Sequence, residues 1–173
     1  AIGNIVYNDN RARYIHIYAI DGAGNTSEVH TQKLEPASQE LEVTKEVVNP
    51  KNEYKVGDRI RYKVSVRIKE NETNRGTVNN VNIIDTYNNI YLRLIKESIV
   101  KDSNSAVNAD SLGTISSNMG SISYGQVREL QYDMEVLDTA NGKADVTNNV
   151  IASGRSFTGN SADGNGSKKI VVN

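Results

Sequence analysis

The sequence contains no cysteine, which excludes disulfide bonds, thiol nucleophiles and cysteine-ligated zinc sites together. An extracellular protein of this composition needs another source of mechanical and proteolytic resistance. Tryptophan is also absent and phenylalanine occurs once, at Phe157, although there are nine tyrosines. Because carbohydrate-binding faces usually present exposed aromatic platforms, the composition argues against that function.

The sequence also lacks an excess of charge of either sign. Its 20 basic and 21 acidic side chains leave a formal net charge of −1 in 173 residues. This balance provides no field that would attract nucleic acid or an anionic membrane. No window approaches the roughly 18 apolar residues of a membrane span, and the N-terminus has no signal-peptide pattern. We expect no nucleic-acid partner, no membrane contact in this segment, and any targeting or anchoring parts to lie outside it.

The sequence is instead dominated by alternation of apolar and polar residues, which is typical of β-strands. The segment ARYIHIYAI at 12–20 alternates, meets the turn DGAGN at 21–25, and continues as a polar strand to about residue 35. Two or three strands bury too little surface to be stable alone. We therefore expect residues 1–37 to contain the terminal strands of a truncated module and most of a short linker, which lies at 35–38.

A second series of alternating segments predicts an all-β sandwich over residues 38–173. Its predicted strands lie at 41–47, 59–68, 78–85, 90–95, 127–136, 145–154 and 168–173. The Ser- and Asn-rich stretch 97–123 is predicted to be mainly loop with one weak strand at 112–115, and 96–101 is the only candidate for a helical turn.

Several of these segments occur in the order found in a known family. The string YAIDGAGNTSE at 18–28 resembles the closing strands of bacterial Ig-like repeats. The larger part resembles the conserved Ig-like repeat domain of Gram-positive surface proteins, related to collagen-adhesin and pilin domains. The matching pieces are VTKEV (43–47), YKVGDRIRYKVSVRI (54–68), VNNVNIIDTY (78–87), GQVRELQYDMEV (125–136) and VTNNVIASG (146–154). The chain departs from the family at Tyr87-Asn88, where Leu-Pro is usual, and in the polar loop 70–77.

Three polar residues occupy core-facing positions in strands that are otherwise apolar on that face. Lys45 lies between two valines, Asp85 follows Val81 and Ile83 at a spacing of two, and Asn148 lies between two further valines. Burial lowers the pKa of a lysine and raises that of an aspartate, so both can be neutral in one core. A neutral amine is a nucleophile, and a protonated carboxyl can polarise an amide carbonyl.

The family resemblance implies a role for each of these residues. Related pilin and adhesin domains form self-catalysed isopeptide bonds from a lysine, an asparagine and an acidic residue. The resemblance assigns the cross-link to Lys45 and Asn148 and the assisting acid to Asp85. Three simpler alternatives stay open. The Lys45 amine could reach water at the sandwich edge, Asp85 could begin a turn, and a β-bulge could turn Asn149 inward instead of Asn148.

Other candidate sites are weaker. Asp21, Asn25 and Glu28, or Asp163 and Asn165 in ADGNG, could bind calcium, but neither set has the spacing of a calcium loop and Asx-Gly turns explain both. His16 and His30 could be neighbours on adjacent strands, but two histidines without a third ligand make a weak metal site. We expect no metal, no cofactor and no enzyme, since no nucleophile elbow, P-loop or dinucleotide motif is present.

The sequence thus favours a structural stalk or spacer module of a bacterial surface protein. The resemblance implies an extracellular, cell-surface or cell-wall location, with neighbouring Ig-like repeats of the same chain as partners. Two alternatives are an adhesin module that binds an unidentified host protein or glycan, and an accessory module of a secreted carbohydrate-active enzyme. The N-terminal hairpin is expected to dock on the main domain or to pair with another chain.

Overall fold

A computed structural model describes residues 13–34, 39–70, 75–102, 105–156 and 159–173. The strands in these ranges are β1 Arg13–Ile17, β2 His30–Leu34, β3 Leu41–Val47, β4 Arg59–Ile68, β5 Thr77–Thr86, β6 Leu92–Lys101, β7 Ala106–Ala109, β8 Thr114–Ser123, β9 Val127–Val136, β10 Val146–Arg155 and β11 Ser161–Ile170. One short 3-10 turn, Asp138–Ala140, is the helical element of the described ranges. In that part of the chain, no helix combines the length and apolar character needed to cross a bilayer.

Nine of the strands form an Ig-like β-sandwich, as the alternation predicted. One sheet has five strands in the order β11-β10-β5-β8-β7, and the other has four in the order β3-β4-β9-β6. All the pairings within these two sheets are antiparallel. The two sheets bury a common hydrophobic core between them, which is the arrangement that allows each strand to keep one face dry.

The alternation of apolar and polar side chains along each strand explains which residues form the core. Strand β4 is the clearest case, because every second side chain is almost fully buried while its neighbours are partly exposed. It pairs with β9, where the inward positions are equally apolar and Tyr62 lies directly opposite Tyr132. The inward side chains of these two strands are Ile60, Tyr62, Val64, Val66, Ile68, Leu130, Tyr132, Met134 and Val136.

The sandwich is closed along one edge by close backbone contact between β3 and β11. A Cβ atom on Gly164 would lie well inside contact distance of the Leu41 carbonyl oxygen, and one on Gly166 would lie 2.8 Å from that of Val43. The prediction that ADGNG forms a turn is therefore wrong, since 162–166 lie within β11. The glycines there permit two backbones to approach rather than a chain reversal, and the last strand begins at Ser161 instead of residue 168.

The predicted loop at 97–123 is also wrong. Strand β6 continues to Lys101, and β7 and the ten-residue β8 follow it, so the candidate helical turn at 96–101 is β-strand interrupted by an irregular register. The inward face of β8 is apolar at Ile115, Met119 and Ile122, but Ser117 shares it and the outward positions are serine and asparagine. Because polar residues occur on both faces of β8, its sequence does not show the alternation of apolar and polar residues that predicts a strand.

The first two strands form a separate antiparallel hairpin, from Arg13 opposite Leu34 to Ile17 opposite His30. None of its described side chains is fully buried, and five large apolar ones are exposed: Tyr14, Ile17, Tyr18, Ile20 and Val29. Residues 1–12 and the predicted linker 35–38 lie outside the described residues. The division into 1–37 and 38–173, and the docking of the hairpin, therefore stay predictions.

We expect Gly164→Ala to destabilise the sandwich by about 1–3 kcal/mol, because the new methyl group meets a backbone carbonyl that cannot rotate away. Urea denaturation followed by circular dichroism measures the change. Gly22→Ala is the matched control, since nothing lies within 4 Å of the added Cβ. Equal unfolding midpoints for the two variants would show that β3 and β11 are not in tight contact.

Candidate functional site

The three sequence-predicted residues meet between the two sheets. Lys45 lies on β3 of the four-stranded sheet, whereas Asp85 on β5 and Asn148 on β10 come from neighbouring strands of the five-stranded sheet. Val150 lies directly opposite Asp85, so Asn148 is its diagonal neighbour on the inward face. Residue exposures are 5% for Lys45 and 0% for both Asp85 and Asn148. The alternation of three separate strands thus places one amine, one carboxyl and one amide in a common interior.

The structure disagrees with each of the simpler alternatives for their positions. The Lys45 side chain has no exposed surface, so its amine does not reach water. Strand β5 continues through Thr86, which places Asp85 inside a strand rather than in a turn. The pairing of β10 with β5 is regular up to Ser153, and Asn149 is exposed on the outer face.

A tyrosine that the sequence analysis did not single out joins the three side chains. The Lys45 ammonium donates hydrogen bonds to Asp85 Oδ2 and, at 2.6 Å, to the Tyr132 hydroxyl oxygen. That hydroxyl donates to Asp85 Oδ2 at 2.6 Å and accepts from Asn148 Nδ2 at 3.2 Å. The hydroxyl therefore contacts both side-chain nitrogens and the carboxylate. Tyr132 alternates with Leu130 and Met134 on the inward face of β9, and this spacing of two could have identified it as a buried residue.

Aromatic rings form one wall of the site. Tyr62 on β4 and Tyr132 on β9 stack with ring centroids 5.8 Å apart. The Lys45 amine lies 5.4 Å from the centroid of the Tyr62 ring and 5.3 Å from that of Tyr132. Such rings attract the ammonium form through their electron-rich faces, but they offer far less solvation than water. The amine is therefore held in place in an environment that excludes solvent.

Two oxygens of the Lys45, Asp85 and Asn148 side chains have no hydrogen-bond partner among the described residues. They are Asp85 Oδ1 and Asn148 Oδ1, and both are buried. Leaving a buried acceptor unpaired costs about 1–3 kcal/mol, and more when it carries charge. A proton on the Asp85 carboxyl would remove its charge and supply the donor that the site lacks. The pattern of paired and unpaired atoms therefore favours the neutral acid.

Burial shifts the pKa values of these groups in opposite directions. It lowers the pKa of Lys45 to about 8, although the neighbouring Asp85 opposes the change. It raises the pKa of Asp85, again against the effect of Lys45. Burial, followed by the Asp85 charge, raises the pKa of Tyr132 well above its ordinary value. The Lys45 amine thus loses its proton more readily than an exposed lysine, while the Tyr132 hydroxyl keeps its own.

The two candidate calcium loops have structural explanations. The Asp21 carboxylate accepts hydrogen bonds from the backbone N–H groups of Ala23 and Asn25 and from the Asn25 side chain, which is an Asx-type turn. The Asp163 carboxylate accepts from the Ser161 hydroxyl within β11.

The two histidines lie on adjacent strands but not opposite one another. The His16 ring is hydrogen-bonded to the Thr31 hydroxyl at 2.9 Å, and His30 lies opposite Ile17. Within the described ranges, no three His, Cys, Asp or Glu side chains are grouped as metal ligands would be.

Solved structures share this fold at low sequence identity. A cohesin module of a family 33 glycoside hydrolase from Clostridium perfringens aligns at 15% identity with a TM-score of 0.56, covering 79% of this chain and 98% of that one. The major pilin subunit BcpA of Bacillus cereus aligns at 12% identity with a TM-score of 0.57, covering 91% of this chain and 47% of the pilin. The C-terminal fragment of the Streptococcus agalactiae major pilin GBS80 aligns at 11% identity with a TM-score of 0.55, covering 76% of this chain and 56% of the fragment.

These alignments show the fold, which two major pilins and a cohesin module have in common with this chain. The chain spans about half the length of the pilin structures that it matches. The sequence itself matches no protein-family model, and no curated protein matches it.

The lowered pKa of Lys45 predicts a pH dependence in a variant that cannot cross-link, such as Asn148→Ala. The unfolded chain keeps the Lys45 proton up to its ordinary pKa of 10.5, whereas the folded chain releases it near 8. Between these values the unfolded state binds more protons, so the free energy of unfolding should rise with pH. Urea denaturation at several pH values from 7.5 to 10.5 measures it.

The control for this titration is Asn148→Ala combined with Lys45→Met, which retains the tyrosines and surface lysines that titrate in the same range. The difference between the two curves reports the titration of Lys45 together with that of Asp85, the partner whose pKa it shifts. Parallel curves would mean that the amine is solvated in the folded state.

Proposed function

We propose that this chain is a structural module of a bacterial surface protein whose core forms an amide bond between the side chains of Lys45 and Asn148. The observation that carries the proposal is the buried cluster of Lys45, Asp85 and Asn148. Buried charges are costly unless they are paired, and this pair is accompanied by an amide whose carbonyl oxygen has no partner in the described part of the chain. A cross-linking reaction would explain why an amine, a carboxyl and an amide are buried together.

The proposed reaction uses only atoms of the cluster. The Lys45 proton passes to Asp85, which leaves a neutral amine and a neutral carboxyl in a site where burial favours both. The protonated Asp85 donates a hydrogen bond to Asn148 Oδ1 and makes the amide carbon more electrophilic. The Lys45 nitrogen attacks that carbon, the bond from carbon to Asn148 Nδ2 breaks, and ammonia leaves. One C–N bond replaces another, so no oxidant or cofactor is needed.

The bond would join the first strand of one sheet to the penultimate strand of the other. It would close a loop of about a hundred residues, for which the chain-entropy model gives a stabilisation of roughly 4–5 kcal/mol. An amide also survives reducing conditions. It would therefore supply the covalent restraint that a chain without cysteine cannot obtain from disulfides.

The biological role that fits such a module is that of a stalk or spacer in an extracellular, cell-surface or cell-wall-attached protein. Neighbouring Ig-like repeats of the same chain are its expected partners. The pilin folds support this role because they show the same sandwich in proteins described as major pilin subunits. A covalent tie between the sheets would keep a repeat folded when the strands are pulled.

An adhesin role is a second candidate, and one surface feature favours it. Ile84 and Ile151 lie directly opposite each other on the outer face of the five-stranded sheet, and they are 46% and 56% exposed. A shallow groove beside them is lined partly by Asn82, Val107 and Asn108. Binding of a host protein or glycan by the isolated fragment, lost in Ile84→Asp, would favour this role over that of a spacer.

An accessory role beside a secreted carbohydrate-active enzyme is a third candidate. It is supported by the likeness to the cohesin module of a glycoside hydrolase. The fold alone does not choose between this role and a pilin-like one, but the buried cluster favours the cross-linked module. Retention of the fragment on a polysaccharide column would favour the enzyme-associated role.

Accurate intact mass tests the cross-link. We expect folded wild-type protein to weigh one ammonia less than its sequence mass, because bond formation expels the Asn148 amide nitrogen. Lys45→Ala, Asp85→Ala and Asn148→Ala should each have the full mass of their own sequence. Tandem mass spectrometry of a proteolytic digest should then find the peptides containing residues 45 and 148 joined.

Asn149→Ala is the matched control, since Asn149 is adjacent in sequence but exposed, and this variant should still lose one ammonia. Wild-type protein that is folded by circular dichroism and has its full sequence mass would refute the cross-link.

A further inference from the structure

The Tyr132 hydroxyl occupies a position that the proposed cross-link does not by itself explain. It accepts a hydrogen bond from Lys45 Nζ at 2.6 Å and another from Asn148 Nδ2 at 3.2 Å. The first nitrogen is the one that attacks in the proposed reaction, and the second is the one that leaves. A single hydroxyl oxygen therefore contacts both nitrogens between which a proton has to move.

The reaction needs such a transfer. After attack, the Lys45 nitrogen carries a proton that the final amide does not retain. The Asn148 nitrogen, in contrast, is a poor leaving group until it gains a proton and can depart as ammonia. The Tyr132 side chain is fully buried between the sheets, so exchange with bulk water is not available at this position. Asp85 is already engaged in polarising the carbonyl oxygen.

We infer that Tyr132 is a catalytic residue of the cross-linking reaction, whose hydroxyl relays a proton from the attacking Lys45 nitrogen to the departing Asn148 nitrogen. This inference rests on the proposed cross-link. The hydroxyl donates its own proton to Asn148 Nδ2 as the C–N bond breaks and receives one from Lys45 Nζ. It ends the step as a neutral phenol, so the relay consumes nothing and protons balance.

The hydroxyl must rotate for this step, because its proton initially points to Asp85 Oδ2. Once Asp85 has taken the Lys45 proton, the carboxyl is neutral and a weaker acceptor, which lowers the cost of that rotation. The high pKa of Tyr132 suits a relay, because the hydroxyl keeps a proton to donate throughout the physiological range.

The neighbouring Tyr62 provides a matched control. It is also fully buried and stacks on Tyr132, but its hydroxyl has no hydrogen-bond partner among the described residues. Tyr62→Phe and Tyr132→Phe remove the same atom from stacked rings in the same core. Only the Tyr132 hydroxyl touches the reacting nitrogens.

The test is a time course of ammonia loss after synthesis. Wild-type, Tyr132→Phe and Tyr62→Phe chains are made in a cell-free system, sampled at intervals, quenched in acid and analysed by intact mass. General acid–base catalysis typically contributes about 100-fold or more to a rate. We therefore expect Tyr132→Phe to cross-link at least about 100-fold more slowly than wild type, with Tyr62→Phe within about threefold of it. Circular dichroism checks that each chain is folded.

The outcomes separate the relay from the cross-link itself. If wild type and Tyr132→Phe lose ammonia at similar rates, the relay is wrong and the cross-link stands. If wild type never loses ammonia, both are wrong. If Tyr132→Phe fails to fold, 3-fluorotyrosine incorporated in place of Tyr132 keeps the hydroxyl but makes it more acidic. A changed rate and pH profile would then support the relay, and an unchanged rate would overturn it.

Discussion

The interior of this sandwich is organised around one constraint, the complete burial of the Lys45 amine and the Asp85 carboxyl between the two sheets. Two isolated charges there would cost several kcal/mol each. The structure reduces that cost by pairing them, by placing the Tyr132 hydroxyl between them and the Asn148 amide, and by shifting both pKa values towards neutral forms. The surrounding strands must then hold four polar side chains in register, which ties the two sheets to a single arrangement.

The contact between β3 and β11 at the edge of the sandwich also contributes to the burial of Lys45. Lys45 lies on an edge strand, where a long side chain would ordinarily extend into solvent. Strand β11 lies along that edge, and its glycines let the two backbones approach so closely that an added Cβ atom would meet the carbonyl groups of β3. A Cβ atom on Gly166 would lie 2.8 Å from the carbonyl oxygen of Val43, two residues before Lys45. The glycine-rich strand is therefore part of what makes the amine unusual, although it contributes no reactive atom.

Much of the fold and three of the four residues in the cluster of Lys45, Asp85, Tyr132 and Asn148 could be predicted from the sequence. Alternation in β3, β4 and β9 is strong, because one face of each packs against the opposite sheet and the other is solvated, and their limits were predicted residue for residue. The same spacing of two predicted that the side chains of Lys45, Asp85 and Asn148 are directed inward. Prediction failed at β8 and β11, where serine, asparagine and glycine occupy strand positions that sequence rules assign to loops and turns.

The sequence by itself determined the class of fold, the absence of thiol chemistry and the inward direction of each polar residue, because these depend on composition and on a local period of two. Only the tertiary structure decided which inward residues meet. Lys45 and Tyr132 come from one sheet and Asp85 and Asn148 from the other, and their contact depends on the register and stacking of strands far apart in the chain. The alternation of β9 indicates only that Tyr132 is directed inward, so its contacts with Lys45, Asp85 and Asn148 emerge only when the two sheets are packed together.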